Sequence, residues 1–264
     1  MPGMGASLGQ FFKPEDLLNA YKNMECEVPG GTAIVSINRY RNANKASHDA
    51  GGTQQSWPLR LSLMNVAPDT IKRTGGNKLW ADSFLGKGSP WAIARVLECF
   101  VAYSDQWIAR FKKAQPATPE RKIADWLSDD DLSWGDALQR ISDGWFGLDC
   151  NGFTGNWFKV NCPDFKLTPD DRADEVRQKQ AKVYRKSLDE IDYWDVMCYT
   201  KNEHIALVNN RVDANGHFMV AQSAGGGPRM NEFAFLQTGT KTFRLAAPTR
   251  NDIGYDFYVI SLWA

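Results

Sequence analysis

The sequence predicts an α+β protein, and three observations carry that prediction. The composition is globular, with 43% apolar and 23% charged residues in a chain of 264, so the chain can bury a core and is not wholly disordered. Helical spacing dominates from Ser89 to about Ile141. Beyond Ile191 the pattern is strand-like to the end, and helices followed by a meander of antiparallel strands are the layout of an α+β domain. A turn-rich, β-prone stretch over 1–88 is expected to form an accessory region of unassigned role, with 89–264 as the main domain.

Within the first stretch, glycine pairs punctuate two short runs, Thr32–Ile37 and Leu59–Met64, whose alternation predicts strands. Ser89 then offers an N-cap and Pro90 a first helical residue, opening a helix that runs to about Ala114. Trp91, Ala94, Val96, Leu97, Val101, Ile108 and Phe111 give it a broad apolar surface at helical spacing. QPATPE breaks it, and shorter helices are predicted over Pro119–Leu127 and Leu132–Ile141. The charged segment Asp164–Asp189 reads as an excursion holding a surface helix, Pro169–Tyr184. Strands are predicted over Trp194–Tyr199, His204–Val208, His217–Gln222, Lys241–Leu245 and Phe257–Leu262, with NNRVDANG at 209–216 as a hairpin connection.

Charge excludes some functions. Lys plus Arg and Asp plus Glu are 31 each, without the basic excess of a nucleic-acid scaffold. No run approaches a membrane span, and mean hydropathy is −0.45. The N-terminus lacks a basic region followed by an apolar stretch, so synthesis in the cytoplasm without a signal peptide is expected. Five single cysteines, 26, 99, 150, 162 and 198, form no CxxC, and the three histidines sit at no zinc-ligand spacing from them. Neither a structural metal, another cofactor nor a disulfide framework is expected.

The most specific stretch is GWFGLDCNGFTGNWFKV, Gly144–Val160. Asp149-Cys150-Asn151-Gly152-Phe153 reads as a turn entering a helix, with Asp149 as a cap. A partly exposed thiol at that helix mouth feels the positive end of the macrodipole, which predicts a stabilised thiolate. Such a nucleophile needs an imidazole. His204 opens the predicted strand HIALV, directly after the strand DVMCY. Gly86-Lys87-Gly88-Ser89 lacks the full phosphate-loop pattern, and Ala221-Gln222-Ser223-Ala224-Gly225 lacks the helix a serine elbow requires.

DCNGF resembles the DCSGF nucleophile motif of NlpC-type papain-like cysteine peptidases, the bacterial cell-wall endopeptidase family. Asp195–Tyr199 is similar to the family's GDVLVY strand, with Trp194 where glycine is usual. Asn202–Val208 is similar to the strand carrying the catalytic histidine, and Phe218–Gly227 to the next strand and its glycine-rich exit. The resemblance covers about 89–264. It implies a papain-like core, with Cys150 as nucleophile at a helix N-terminus packed on an antiparallel sheet that carries the base, His204. It also implies an oxyanion site using the Cys150 N–H. The family's third, imidazole-orienting residue falls at Val220 or Ala221, which cannot serve. Gln222 shares strand parity with Val220 and is polar, so it is the candidate, ahead of His217 with the opposite parity; a dyad without a third member stays open.

The function so implied is a peptidase or amidase cutting peptide bonds of peptidoglycan stem peptides. It would be delivered to a target-cell periplasm as an antibacterial, type VI-like effector, with secretion machinery and a cognate immunity protein as partners. The alternatives are a phage-type lysin, a papain-like deamidase or acyltransferase toxin acting inside a target cell, and a non-enzymatic binding module on the same scaffold.

Overall fold

The structure, a computed structural model, describes residues 13–40, 56–66, 68–161, 173–201, 204–246 and 255–262. Cys162 and His48 lie outside the described residues. The chain is α+β. Helix α1 (Pro14–Lys22) leads into a hairpin of β1 (Met24–Val28) and β2 (Gly31–Val35). The expected strand at Leu59–Met64 is instead part of α2 (Ser56–Val66). Its run LRLSLM has no β-branched residue and is rich in strong helix formers, and Leu59 and Leu63, four apart, share the buried face. Helices α3 (Pro68–Arg73) and α4 (Gly76–Phe84) follow.

Ser89 caps α5 (Pro90–Ala102), its Oγ accepting the Ala92 N–H at 3.1 Å. The single helix expected to run on to Ala114 is broken at Tyr103 (φ −121°, ψ 26°), and α6 (Ser104–Phe111) starts there. The Trp107 indole donates to the Cys99 carbonyl across the break. α7 (Pro119–Leu127) has the bounds the sequence predicts. α8 (Trp134–Trp145) starts after the Ser133 cap, and α9 (Cys150–Asn161) carries the DCNGF cysteine. Of the predicted surface helix, residues 169–172 lie outside the described residues and α10 (Ala173–Gln180) is helical, but Val183–Tyr184 forms a strand, β3.

The remaining strands are β4 (Val196–Tyr199), β5 (Ile205–Arg211), β6 (His217–Ala224), β7 (Gly227–Gln237), β8 (Phe243–Leu245) and β9 (Phe257–Ser261). All pair antiparallel, in the order β9-β4-β5-β6-β7-β8, and β8 closes back on β9 through Phe243 and Phe257. The sheet is therefore a closed six-stranded barrel, not the papain-like sheet the resemblance implies. β7, the longest strand, has no counterpart in the sequence reading. It begins GPRM, with a glycine and a proline that disfavour a strand, but tertiary pairing along all of β6 overrides that local preference. Gly227, the first residue of β7, leaves the Gly225–Gly226 turn at φ 84°, in the left-handed region that glycine enters without a Cβ penalty.

Side-chain alternation gives the barrel two apolar faces. Met197, Tyr199, Ala206, Val208, Phe218, Val220 and Phe257 fill its interior. Val196, Cys198, Ile205, Leu207, Ala221 and Ile260 face outward onto α9, where Phe153 and Trp157 are fully buried. Each such aromatic contributes about 1.5–3 kcal/mol by burial. Leu17, Tyr21, Cys26, Val35, Leu59 and Ile71 lie in the same continuous core as α5, α9 and the barrel's outer face, so residues before 88 share that core. Tyr21 is tied into it by bonds to the Gly88 carbonyl (2.9 Å) and from the Asn156 amide (3.1 Å). Among the described residues, no helix is long and apolar enough to cross a membrane.

Packing of α9 is tightest at Gly152, where a Cβ would overlap the Gly86 carbonyl oxygen. Gly152→Ala should therefore destabilise the protein by about 1–3 kcal/mol in urea unfolding, although alanine favours helix by about 1 kcal/mol. A neutral or stabilising effect would show that α9 can move away from the Gly86 loop.

Candidate active site

Asp149 builds the start of α9. Its Oδ1 accepts the Gly152 N–H, the capping contact expected from the sequence, and its own N–H donates to the Gly86 carbonyl at 2.9 Å. Its other oxygen, Oδ2, pairs with Lys87 Nζ at 2.8 Å, with both side chains buried. The turn before it is clamped as well: Leu148 N–H donates to the Arg39 carbonyl, and the Leu148 carbonyl accepts from Ser223 Oγ. Three chain segments, around residues 39, 86 and 223, thus hold the residue pair that precedes Cys150.

Cys150 lies at the first position of α9 and is buried, not partly exposed. Its sulfur receives the Ile205 backbone N–H, which sets the thiol against the His204–Ile205 peptide at the entrance of β5. The Tyr40 hydroxyl reaches the sulfur at 3.9 Å, and its oxygen also accepts the Cys150 N–H. Burial pushes the thiol up to about 11, and the Asp149 carboxylate adds to the rise. The Ile205 N–H, the Lys87 ammonium and Tyr40 oppose it without reversing it. The stabilised thiolate expected from the helix dipole is therefore not found. Desolvation disfavours the anion more than these neighbours favour it.

His204 Nε2 lies 2.7 Å from Gln222 Oε1, and the imidazole packs 5.6 Å from the Tyr199 ring. The structure thus brings His204 and Gln222 together, as strand parity suggests, and places Cys150 against the peptide that follows His204. Val220 points into the barrel interior, in the row that ends at Gln222. His217 sits at the opposite end of β6, where its Nδ1 pairs with Asp213 at 2.7 Å. Trp194, at the position where the motif has glycine, takes φ 67°, a conformation uncommon for a bulky residue. Its ring packs 6.2 Å from Trp157 of α9, and its N–H donates to the Val208 carbonyl.

Three contributors to this site carry no catalytic motif: Tyr40, Lys87, and Asn231, whose Oδ1 accepts from Gln222 Nε2 at 2.9 Å. Lys87 stands in the GKGS run that resembles a phosphate loop, and its position between two glycines was the available cue. Among the described residues, no group of three His, Cys, Asp or Glu could hold a metal ion. What the arrangement can do is nucleophilic chemistry: a thiol at a helix start, an N–H and a hydroxyl beside it, and, on the residue before the Ile205 N–H that meets the sulfur, an imidazole whose Nε2 is held by an amide oxygen. No family model, curated protein or solved structure matches this chain.

Two measurements check this description. Lys87→Met should cost about 3–5 kcal/mol in chemical unfolding, because it leaves the Asp149 carboxylate buried and uncompensated. Adding Asp149→Asn should recover part of that loss; an additive further loss would separate the two residues. Under native conditions, iodoacetamide should label Cys150 at a rate that climbs about tenfold per pH unit between pH 8 and 10, since thiolate fraction rises toward a pKa of about 11. A rate already flat at pH 7 would show a preformed ion pair instead.

Proposed function

We propose that this chain is a cysteine hydrolase with NlpC-type chemistry, cutting peptide bonds of peptidoglycan stem peptides. The observation that carries the reading is the 2.7 Å contact between His204 Nε2 and Gln222 Oε1 beside a helix-start cysteine. An amide oxygen only accepts, so Nε2 carries the proton and Nδ1 is the basic nitrogen. The motif order DCNGF, DVMCY, HIALV and glycine exit supplies the family and the substrate class. The closed barrel does not oppose the chemistry, which depends on the cysteine helix and two adjacent strands.

In this reading Cys150 Sγ attacks the scissile carbonyl carbon as its proton passes to His204 Nδ1. The carbonyl π electrons move onto oxygen, where the Tyr40 hydroxyl stabilises the charge; the Cys150 N–H that the resemblance assigns to this task is already donated to the Tyr40 oxygen and holds that hydroxyl in place. Collapse breaks the C–N bond, and the imidazolium gives its proton to the departing amine. Water, deprotonated by the same imidazole, then hydrolyses the thioester and restores the thiol. A thiol raised to about 11 fits proton transfer during attack, with no standing thiolate. An enzyme of this kind threatens its producer's own wall. Delivery into a target-cell periplasm by a contact-dependent secretion machine, with an immunity protein covering the Cys150 cleft, belongs to the same proposal.

Purified protein incubated with peptidoglycan sacculi should release new muropeptides, and Cys150→Ala should release none. Gln222→Ala should lower turnover roughly 10–1000-fold with little change in substrate affinity, and Gln222→Glu should keep more activity because a carboxylate is also an acceptor. Turnover of protein glutamines or acyl donors, with sacculi untouched, would replace the substrate class by that of an intracellular toxin. Intact sacculi that nonetheless retain the protein would make it a binding module.

A further inference from the structure

We propose that Arg229 and Asn231, on the neighbouring strand β7, are positioning residues that set which nitrogen of His204 carries the proton. Strand register places Arg229 directly opposite Gln222 and Asn231 opposite Val220, so all four side chains share one face of the β6–β7 hairpin. Gln222 Nε2 donates to Asn231 Oδ1 at 2.9 Å, and Arg229 Nε donates to the same oxygen at 3.1 Å.

The direction of this chain follows from the donors available. A glutamine amide can turn over by 180°, exchanging its oxygen and nitrogen, and its orientation is decided by its partners. A guanidinium only donates, so the atom of Asn231 that faces Arg229 must be its oxygen. That oxygen then calls for a hydrogen from Gln222, which turns the Gln222 nitrogen toward Asn231 and its oxygen toward His204. The oxygen has no hydrogen to offer, so His204 Nε2 must hold one and the neutral ring leaves Nδ1 bare. A permanently charged group on the surface strand thus selects a tautomer three side chains away. Gln222 alone does not select it, because its flipped amide would donate to Nε2 and move the proton to Nδ1.

The tautomer stands on this geometry alone, whereas its kinetic consequence rests on the reading of His204 as the general base. Long-range proton–nitrogen NMR spectra report the tautomer directly, and a chain with three histidines is tractable for assignment. The wild type should show His204 protonated on Nε2. Asn231→Leu and Arg229→Met should each shift His204 toward a mixture of tautomers, the exposed Arg229 giving a variant whose folding is little disturbed. Gln222→Glu added to Asn231→Leu should restore the Nε2-protonated ring, since a carboxylate presents oxygen in either orientation. On a soluble stem peptide, Asn231→Leu should lower kcat about 10–100-fold with KM nearly unchanged, and the Gln222→Glu addition should return part of that loss. If His204 keeps its Nε2 proton in both single variants, the relay sets nothing and the proposal is overturned, whatever the activity. If the tautomer shifts as described while the wild type cleaves no peptide, the positioning role holds and the peptidase reading falls.

Discussion

The buried carboxylate of Asp149 is the constraint on which the rest of the site depends. It satisfies the Gly152 N–H at the start of the cysteine helix with one oxygen and the Lys87 ammonium with the other. A buried pair of this kind adds little net stability relative to an apolar pair, since desolvation of two charges offsets their attraction. Its contribution is geometric. It joins the Gly86–Gly88 loop to the mouth of α9, and the Asn156 amide, bonded to the Lys87 carbonyl and the Tyr21 hydroxyl, repeats that link one turn further along. Helix, loop and N-terminal region are thereby held in one arrangement, and the Cys150 thiol is placed against the Ile205 N–H of β5.

The same placement explains the chemistry of the thiol. Close packing that fixes Cys150 also dries it, and the anionic cap lies beside the sulfur. Both favour the neutral form over the Ile205 N–H, the Lys87 charge and the Tyr40 hydroxyl. Cys26 and Cys198, buried elsewhere in the core, are pushed up to about 12 by desolvation. At Cys198 the Arg177 guanidinium opposes that rise, whereas Cys150 has three such neighbours, an N–H, a hydroxyl and an ammonium, each able to stabilise negative charge once the thiol proton has left.

The barrel contributes by its pleat. Outward side chains of β4, β5 and β6 form a floor for α9, while the inward row of β6 ends at Gln222, facing the imidazole that enters β5. β6 pairs with β7 over its whole length and with β5 over Phe218–Ala221, and just beyond that ladder the Gln222 amide is flanked by a histidine on one side and a polar pair on the other. A shift of one residue in the β6 register would turn Gln222 onto the α9 face and separate it from His204.

Local features were legible in the sequence wherever the decisive contact is short in range. Ser89 and Pro90 open α5, the α7 bounds follow from Thr118 and Pro119, and Asp149 caps the helix that begins with Cys150, because a cap is satisfied within three residues of itself. Strand-like runs marked β4, β5 and β6, and parity pointed to Gln222 over His217, because side-chain direction in a strand is fixed by a period of two. Tertiary structure alone decided the rest. Leu59–Met64 became helical because Leu59 and Leu63 find a common core, and β7 formed from an unpromising sequence because β6 offered it a full ladder of partners. The joining of Lys87 to Asp149, of Tyr40 to Cys150 and of Asn231 to Gln222 links segments that no periodicity relates, or strands whose pairing only the closed barrel establishes. The pKa of Cys150 was decided in the same way: a helix start is written in the sequence, but the depth at which that start is buried is a property of everything packed around it.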